Sequence, residues 1–235
     1  MIPRKSMQLL GVIPAFAAIM FAGMLNNSKQ VKAHEEDDDE REEARIERGL
    51  RIAPVHLQYD REDRKLVGLG SYIVNAVVDC NGCHSAGPPT YFTPGGNPYF
   101  RMPPFTGKEQ INTTTYLGGG RDFGPVGSVP HLYSRNLTPD KTGLPEGGRS
   151  FAEFVQIMRQ GTDLDHVHPN CVAPGNPANC FMPPFNGDLL QVMPWPTLKS
   201  MSDHDLRAIY EYLKAIPCNP GPVIKGAEYL QNACN

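Results

Sequence analysis

The sequence predicts an all-α fold, with a few helices separated by long loops. Three observations lead there. Apolar residues recur at helical spacing in three stretches of the 235-residue chain. No βαβ alternation is visible between them. Gly and Pro number 23 each, so about a fifth of the residues punctuate structure rather than propagate it.

Residues 1–33 have the pattern of an export signal. Arg4 and Lys5 form a charged start, Leu9 to Leu25 is apolar, and Val31-Lys32-Ala33 resembles a small-x-small cleavage site. The apolar run also leaves open an uncleaved anchor, and with it membrane association through this segment. Either way the body is expected outside the cytoplasm, in the periplasm or an equivalent space. Residues 34–48 carry nine acidic and three basic side chains and no aromatic residue, the composition of a solvated, disordered tether. Residues 49–235 are expected to form one domain with a C-terminal tail. Its net charge is close to −1, which offers no basic face for nucleic acid.

The first helix of that domain is expected from Leu66, Leu69, Tyr72, Ile73, Ala76 and Val77, running directly into Cys80. Gly70 in its middle weakens a helix unless another backbone comes close, so it marks a helix crossing. Ser150-Phe-Ala-Glu153 is a capping box, Phe151, Phe154, Val155 and Met158 give one apolar face, and Gly161 stops this second helix. Ser202-Asp-His-Asp205 opens the third, with Leu206, Ile209, Tyr210 and Leu213 on one face and Pro217 ending it. Between 85 and 148 the chain is rich in Gly, Pro, Thr and Asn. Gly118-Gly-Gly120 lies outside any nucleotide-loop pattern and reads as turn structure.

The chemistry concentrates in Cys80-Asn-Gly-Cys83-His84. Two thiols three positions apart can each add across a haem vinyl group, and the histidine that follows is close enough to bind the iron. Half of a zinc site would want a second close pair of ligands, and a redox dithiol would want a βαβ context. One covalently bound haem c is therefore expected, and its apolar surface would complete the core of a loop-rich domain. For the second axial position three Met-Pro steps compete, at Met102, Met182 and Met193. Met193 is preferred because it sits nine residues before the closing helix, which could swing it over the haem. Met182 follows Cys180 and stays an alternative. His166 and His168, with Asp163 and Asp165, read as a polar loop rather than a metal site. Cys171 with Cys180, and Cys218 with Cys234, are the favoured disulfides on proximity alone.

These motifs resemble a known family. Gly70-Ser-Tyr-Ile73, the CNGCH run, Tyr116-Leu-Gly-Gly-Gly-Arg-Asp-Phe123 and Asn136-Leu-Thr-Pro-Asp140 are similar to segments of class I monohaem cytochromes c. So are Phe151-Ala-Glu-Phe154 leading to Arg159-Gln-Gly161, and Met193-Pro-Trp-Pro196 with Met201 to Leu213. The closer resemblance is to periplasmic cytochrome c domains that are subunits of membrane-linked dehydrogenases for alcohols and sugars. It implies a small class I cytochrome fold whose first and last helices cross near Gly70 and Tyr210. It also implies thioethers at Cys80 and Cys83, and His84 and Met193 as axial ligands. Many such subunits carry three C-x-x-C-H sites, whereas this chain has one. The expected function is one-electron transfer without catalysis by the chain itself. The donor would be a dehydrogenase or a quinol-linked protein, and the acceptor a cytochrome or an oxidase. The alternatives are a haem enzyme with an open or displaceable sixth ligand, and a fixed cytochrome subunit of a dehydrogenase complex.

Overall fold

A computed structural model describes residues 38–86, 88–100, 106–165, 181 and 184–235. The chain divides into two compact units, Met1–Ala44 and Arg45–Asn235. The described part of the first, 38–44, is helical. Among the described residues no helix is long and apolar enough to cross a membrane. The expected leader, Met102, Met182, His166, His168 and the Cys171–Cys180 pair lie outside the described residues.

The second unit is helical, and its β contacts among the described residues are isolated bridges. Helix α1 covers 45–52 and α2 covers Arg64–Tyr72. The short turn α3 is Cys80–Cys83, α4 is Phe151–Gln160, α5 is Trp195–Leu198 and α6 is Asp203–Ala215. The expected tether is corrected here, since 38–48 is helical throughout and Ile46 is only 1 % exposed. The physical reason is a docking stripe within the charged run. Ile46 and Leu50 face α2 at Gly68, where a Cβ would come within 2.7 Å of the Ile46 side chain. Glu47 pairs with Arg64 at the same seam.

Helix α2 is thus packed on two sides by close backbone approach. Gly68 meets α1, and Gly70 meets α6 so closely that a Cβ there would lie 1.9 Å from the Ala208 carbonyl oxygen. The expected crossing at Gly70 is present, but its partners are Ala208 and Tyr212. Tyr210 lies on another face of α6, where it packs against Phe151 and Phe154 and donates to the Arg149 carbonyl at 2.9 Å. A buried polar network ties the crossing together. Asn75 donates to Tyr212 Oη at 3.1 Å, the Tyr116 and Tyr212 hydroxyls meet at 2.7 Å, and Ser71 donates to the Gly49 carbonyl at 2.7 Å.

The first expected helix also differs in phase. After Tyr72 the chain makes a π turn over Ile73–Val77, then breaks at Asp79 (φ 54°, ψ 55°) instead of running into Cys80. The wider turn rotates the later side chains. Val67 and Val74 are buried, while Val77, expected inside, is 62 % exposed. The other caps match the sequence. Ser150 and Glu153 form the reciprocal box, Gly161 closes α4 at φ 69°, and Ser202 accepts from the Asp205 N–H at 3.0 Å. Cys218 and Cys234 are disulfide-bonded.

Candidate functional site

Asp79 sets up the α3 turn. In its left-handed conformation it caps the turn by accepting from the Gly82 N–H, and its carboxylate also accepts from the Tyr91 hydroxyl at 2.7 Å. Cys80 and Cys83 are both free thiols, Cys83 exposed and Cys80 half-buried. Desolvation, followed by the charges of Asp79 and Cys83, pushes the Cys80 thiol up to about 12. It is therefore protonated and a poor nucleophile within the folded chain.

His84 follows directly and is fixed from two sides. Its Nδ1 lies 2.7 Å from the Arg135 carbonyl oxygen, and its own carbonyl accepts from the Gly119 N–H at 2.9 Å. The first contact assigns the proton to Nδ1 and leaves Nε2 as the nitrogen free to bind a metal. Burial lowers the His84 pKa, which favours the neutral imidazole. Gly119, at φ +73°, has a purpose here, because a Cβ would strike the Arg135 carbonyl group at 2.6 Å. Of the glycine run expected as turn structure, Gly119 thus anchors the His84 backbone, while Gly118 and Gly120 lie against Asn219 and Pro222.

Cys80, Cys83 and His84 line one cleft of about 1160 Å³, counted out to its open mouth. Its walls are mostly apolar. Phe154, Ile157 and Met158 come from α4, Leu198 from α5, and Ile209 and Leu213 from α6. Met193 lines the same cleft from the loop ahead of α5. That lining, mostly apolar with a few polar groups, is that of a cofactor site.

Charged groups gather at one part of the lining. The Arg135 guanidinium pairs with Asp163 at 2.7 Å and with Asp165 at 2.6 Å, and Arg149 pairs with Asp165 and Glu153. The two aspartates expected in a polar loop are thus counter-ions to arginine. Glu146 also lines the cleft, with an unusual backbone at φ 51°. Burial pushes its carboxyl up from 4.5 to about 7 against the pull of Arg135 and Arg149. Sequence reasoning missed Arg135 and Glu146. Arg135 acts through its carbonyl, which no side-chain pattern reveals. For Glu146 the one available signal was its place in a Pro-Glu-Gly-Gly turn.

The chain has relatives among curated proteins. It is 26 % identical over 151 residues to the cytochrome c subunit of a quinone-type alcohol dehydrogenase from Gluconacetobacter polyoxogenes. It is 30 % identical over 155 residues to the gluconate 2-dehydrogenase cytochrome c subunit of Pantoea cypripedii. Its homologues are cytochrome c subunits of dehydrogenases. The matches cover 64 % and 65 % of this chain but 22 % and 24 % of the relatives, so the chain spans about a quarter of the length of the cytochrome c subunits it matches. No family model matches the chain. No solved structure matches it either.

The donor set fits a covalently held haem c. Two undisulfided thiols, an imidazole with Nδ1 engaged and Nε2 free, and a thioether all border one apolar cleft.

Proposed function

We propose that this chain is a monohaem c-type cytochrome domain, of class I fold, that carries one electron at a time outside the cytoplasm. The observation that carries the reading is the convergence of Cys80, Cys83, His84 and Met193 on one apolar cleft. Bound there, the haem supplies reversible Fe(II)/Fe(III) chemistry. Cys80 and Cys83 would form the thioethers, and His84 through Nε2 and Met193 through its sulfur would bind the iron. The Arg135 carbonyl keeps the imidazole in the ligating tautomer. The apolar walls from α4 and α6 exclude water, which together with thioether ligation favours a raised potential.

The chain itself makes and breaks no substrate bond in this role. Its partners are a dehydrogenase or quinol-linked donor and a cytochrome or oxidase acceptor. The relatives' description as subunits favours a place inside a dehydrogenase assembly. Residues 1–33 are the export signal, or an anchor that adds membrane association.

The test is the near-infrared spectrum of the oxidised, haem-loaded protein, where methionine ligation gives a charge-transfer band. We expect the band in the parent. We expect it to be absent in Met193→Ala, which should also bind carbon monoxide when reduced while keeping covalent haem. A Met193→Ala protein with the band intact would refute the ligand assignment. Loss of covalent haem on replacing both thiols, C80S/C83S, tests the attachment site separately.

A further inference from the structure

The segment that brings Met193 to the cleft is fastened at a point remote from the haem-attachment motif. Gly161 ends α4, and its carbonyl accepts from the Leu190 N–H at 2.8 Å. The Leu190 carbonyl accepts from the Trp195 indole Nε1–H at 3.1 Å. The Trp195 backbone N–H in turn donates to the Met193 carbonyl at 2.8 Å. The ring then folds back against Gly161, where a Cβ would lie 2.2 Å from the indole carbons. Gly161 therefore serves two purposes, a left-handed helix stop and a flat seat for the tryptophan.

The result is a closed circuit of contacts, Gly161 to Leu190 to Trp195 and back, with Met193 inside it. A neighbouring set reinforces it. Arg159, one turn into the end of α4, donates to the Met201 carbonyl at 2.6 Å and pairs with Asp203 at 2.6 Å. The C-terminal end of α4 thus holds the chain on both sides of α5.

We propose that Trp195, seated on Gly161, is a positioning residue that sets how firmly Met193 closes the sixth coordination position. The inference rests on the reading of Met193 as an axial ligand. Trp195 does not line the cleft; it acts by limiting the excursions of the 190–195 segment. Partners that orient a metal ligand without touching the metal commonly change affinity at the site by tenfold or more when removed.

The experiment uses the full-length, haem-loaded, oxidised protein and imidazole as a competing ligand. Trp195→Phe keeps an aromatic ring in the segment and removes the indole N–H together with the rest of the five-membered ring that faces Gly161. Imidazole should then bind about fivefold more tightly, the effect of losing one hydrogen bond, with the charge-transfer band still present in its absence. Trp195→Ala, which also empties the seat, should shift affinity further in the same direction. Met193→Ala serves as reference for an open position. If Met193→Ala raises imidazole affinity while both Trp195 variants stay within twofold of the parent, the positioning role is overturned and the ligand assignment stands. If Met193→Ala changes neither band nor affinity, the ligand assignment falls and the positioning role with it. Imidazole affinity is measured far from the unfolding transition, so a general loss of stability would not produce the graded order expected here.

Discussion

Replacing Gly70 with alanine puts a methyl group into one of the tightest helix contacts among the described residues. Its Cβ would lie 1.9 Å from the Ala208 oxygen, 2.5 Å from the Ala208 carbonyl carbon and 2.7 Å from Tyr212 Cβ. Carbon atoms pack comfortably at about 3.5–4.0 Å, so α2 and α6 must move apart by more than an ångström. Two of the three obstacles are backbone atoms, which cannot rotate away. Overpacking of this kind costs about 3 kcal/mol. Separation of the helices also strains the bonds that Tyr212 makes to Asn75 and Tyr116, at about 1 kcal/mol. Alanine's better helix propensity returns about 1 kcal/mol. The net is a loss of about 3 kcal/mol, or about 6–12 °C in melting temperature for a domain of this size. Thermal unfolding of the haem-loaded protein, followed by far-ultraviolet circular dichroism, measures it. Gly107→Ala is the control: it has φ +83° and nothing within 4 Å, so only backbone strain of about 1 kcal/mol applies. A Gly70→Ala protein as stable as the parent, or no less stable than Gly107→Ala, would refute the close-approach argument.

Two further outcomes follow from the charges and the disulfide. Burial holds the folded Glu146 carboxyl near 7 against 4.5 in the unfolded chain, so the folded state binds that proton more tightly. Its contribution to stability is complete below about pH 4.5 and is lost as pH rises through about 7. The size is at most about 3 kcal/mol, and guanidinium midpoints across that window should fall more steeply in the parent than in Glu146→Gln. Parallel slopes would contradict it. Removing the Cys218–Cys234 bridge, which joins residues 16 apart, should lower stability by up to about 3 kcal/mol and raise hydrogen exchange in the tail at Asn219 and Asn232. An unchanged melting temperature would show that the tail's hydrogen bonds suffice without it.

Local chemistry was legible in the sequence, and long-range geometry was not. The capping box at Ser150, the N-cap at Ser202 and the stop at Gly161 were readable because each motif satisfies its own backbone groups within a few residues. Gly70 was readable because a glycine inside an apolar helix needs a reason, but its partners on α6 lie some 140 positions away. The crossing lies near Tyr210 as expected, but the residues that meet Gly70 are its neighbours Ala208 and Tyr212. The α1 dock was hidden because charge dominated the composition of 34–48, although Ile46, with Leu50 just beyond that stretch, packs the helix on Gly68. The π turn at Ile73–Val77 has no compositional mark, and it moved the apparent apolar face. At the site, the attachment motif was explicit in residue types, whereas the Arg135 carbonyl that fixes His84 belongs to a backbone any residue could provide.

The double glycine contact of α2 also bears on the order of events as the chain matures. A nine-residue helix with glycines at 68 and 70 has little helical preference of its own and depends on its neighbours. One of those neighbours, α6, is synthesised last. Until residues 203–215 arrive, the α2 seam stays open and the cleft has no wall at Ile209 and Leu213, so the thiols of Cys80 and Cys83 remain accessible. In an oxidising compartment the conditions that join Cys218 to Cys234 act on those thiols too. On the proposed reading, covalent haem capture would compete with thiol oxidation during maturation, and docking of α6 would slow oxidation at Cys80 alone, since Cys83 stays exposed in the folded chain.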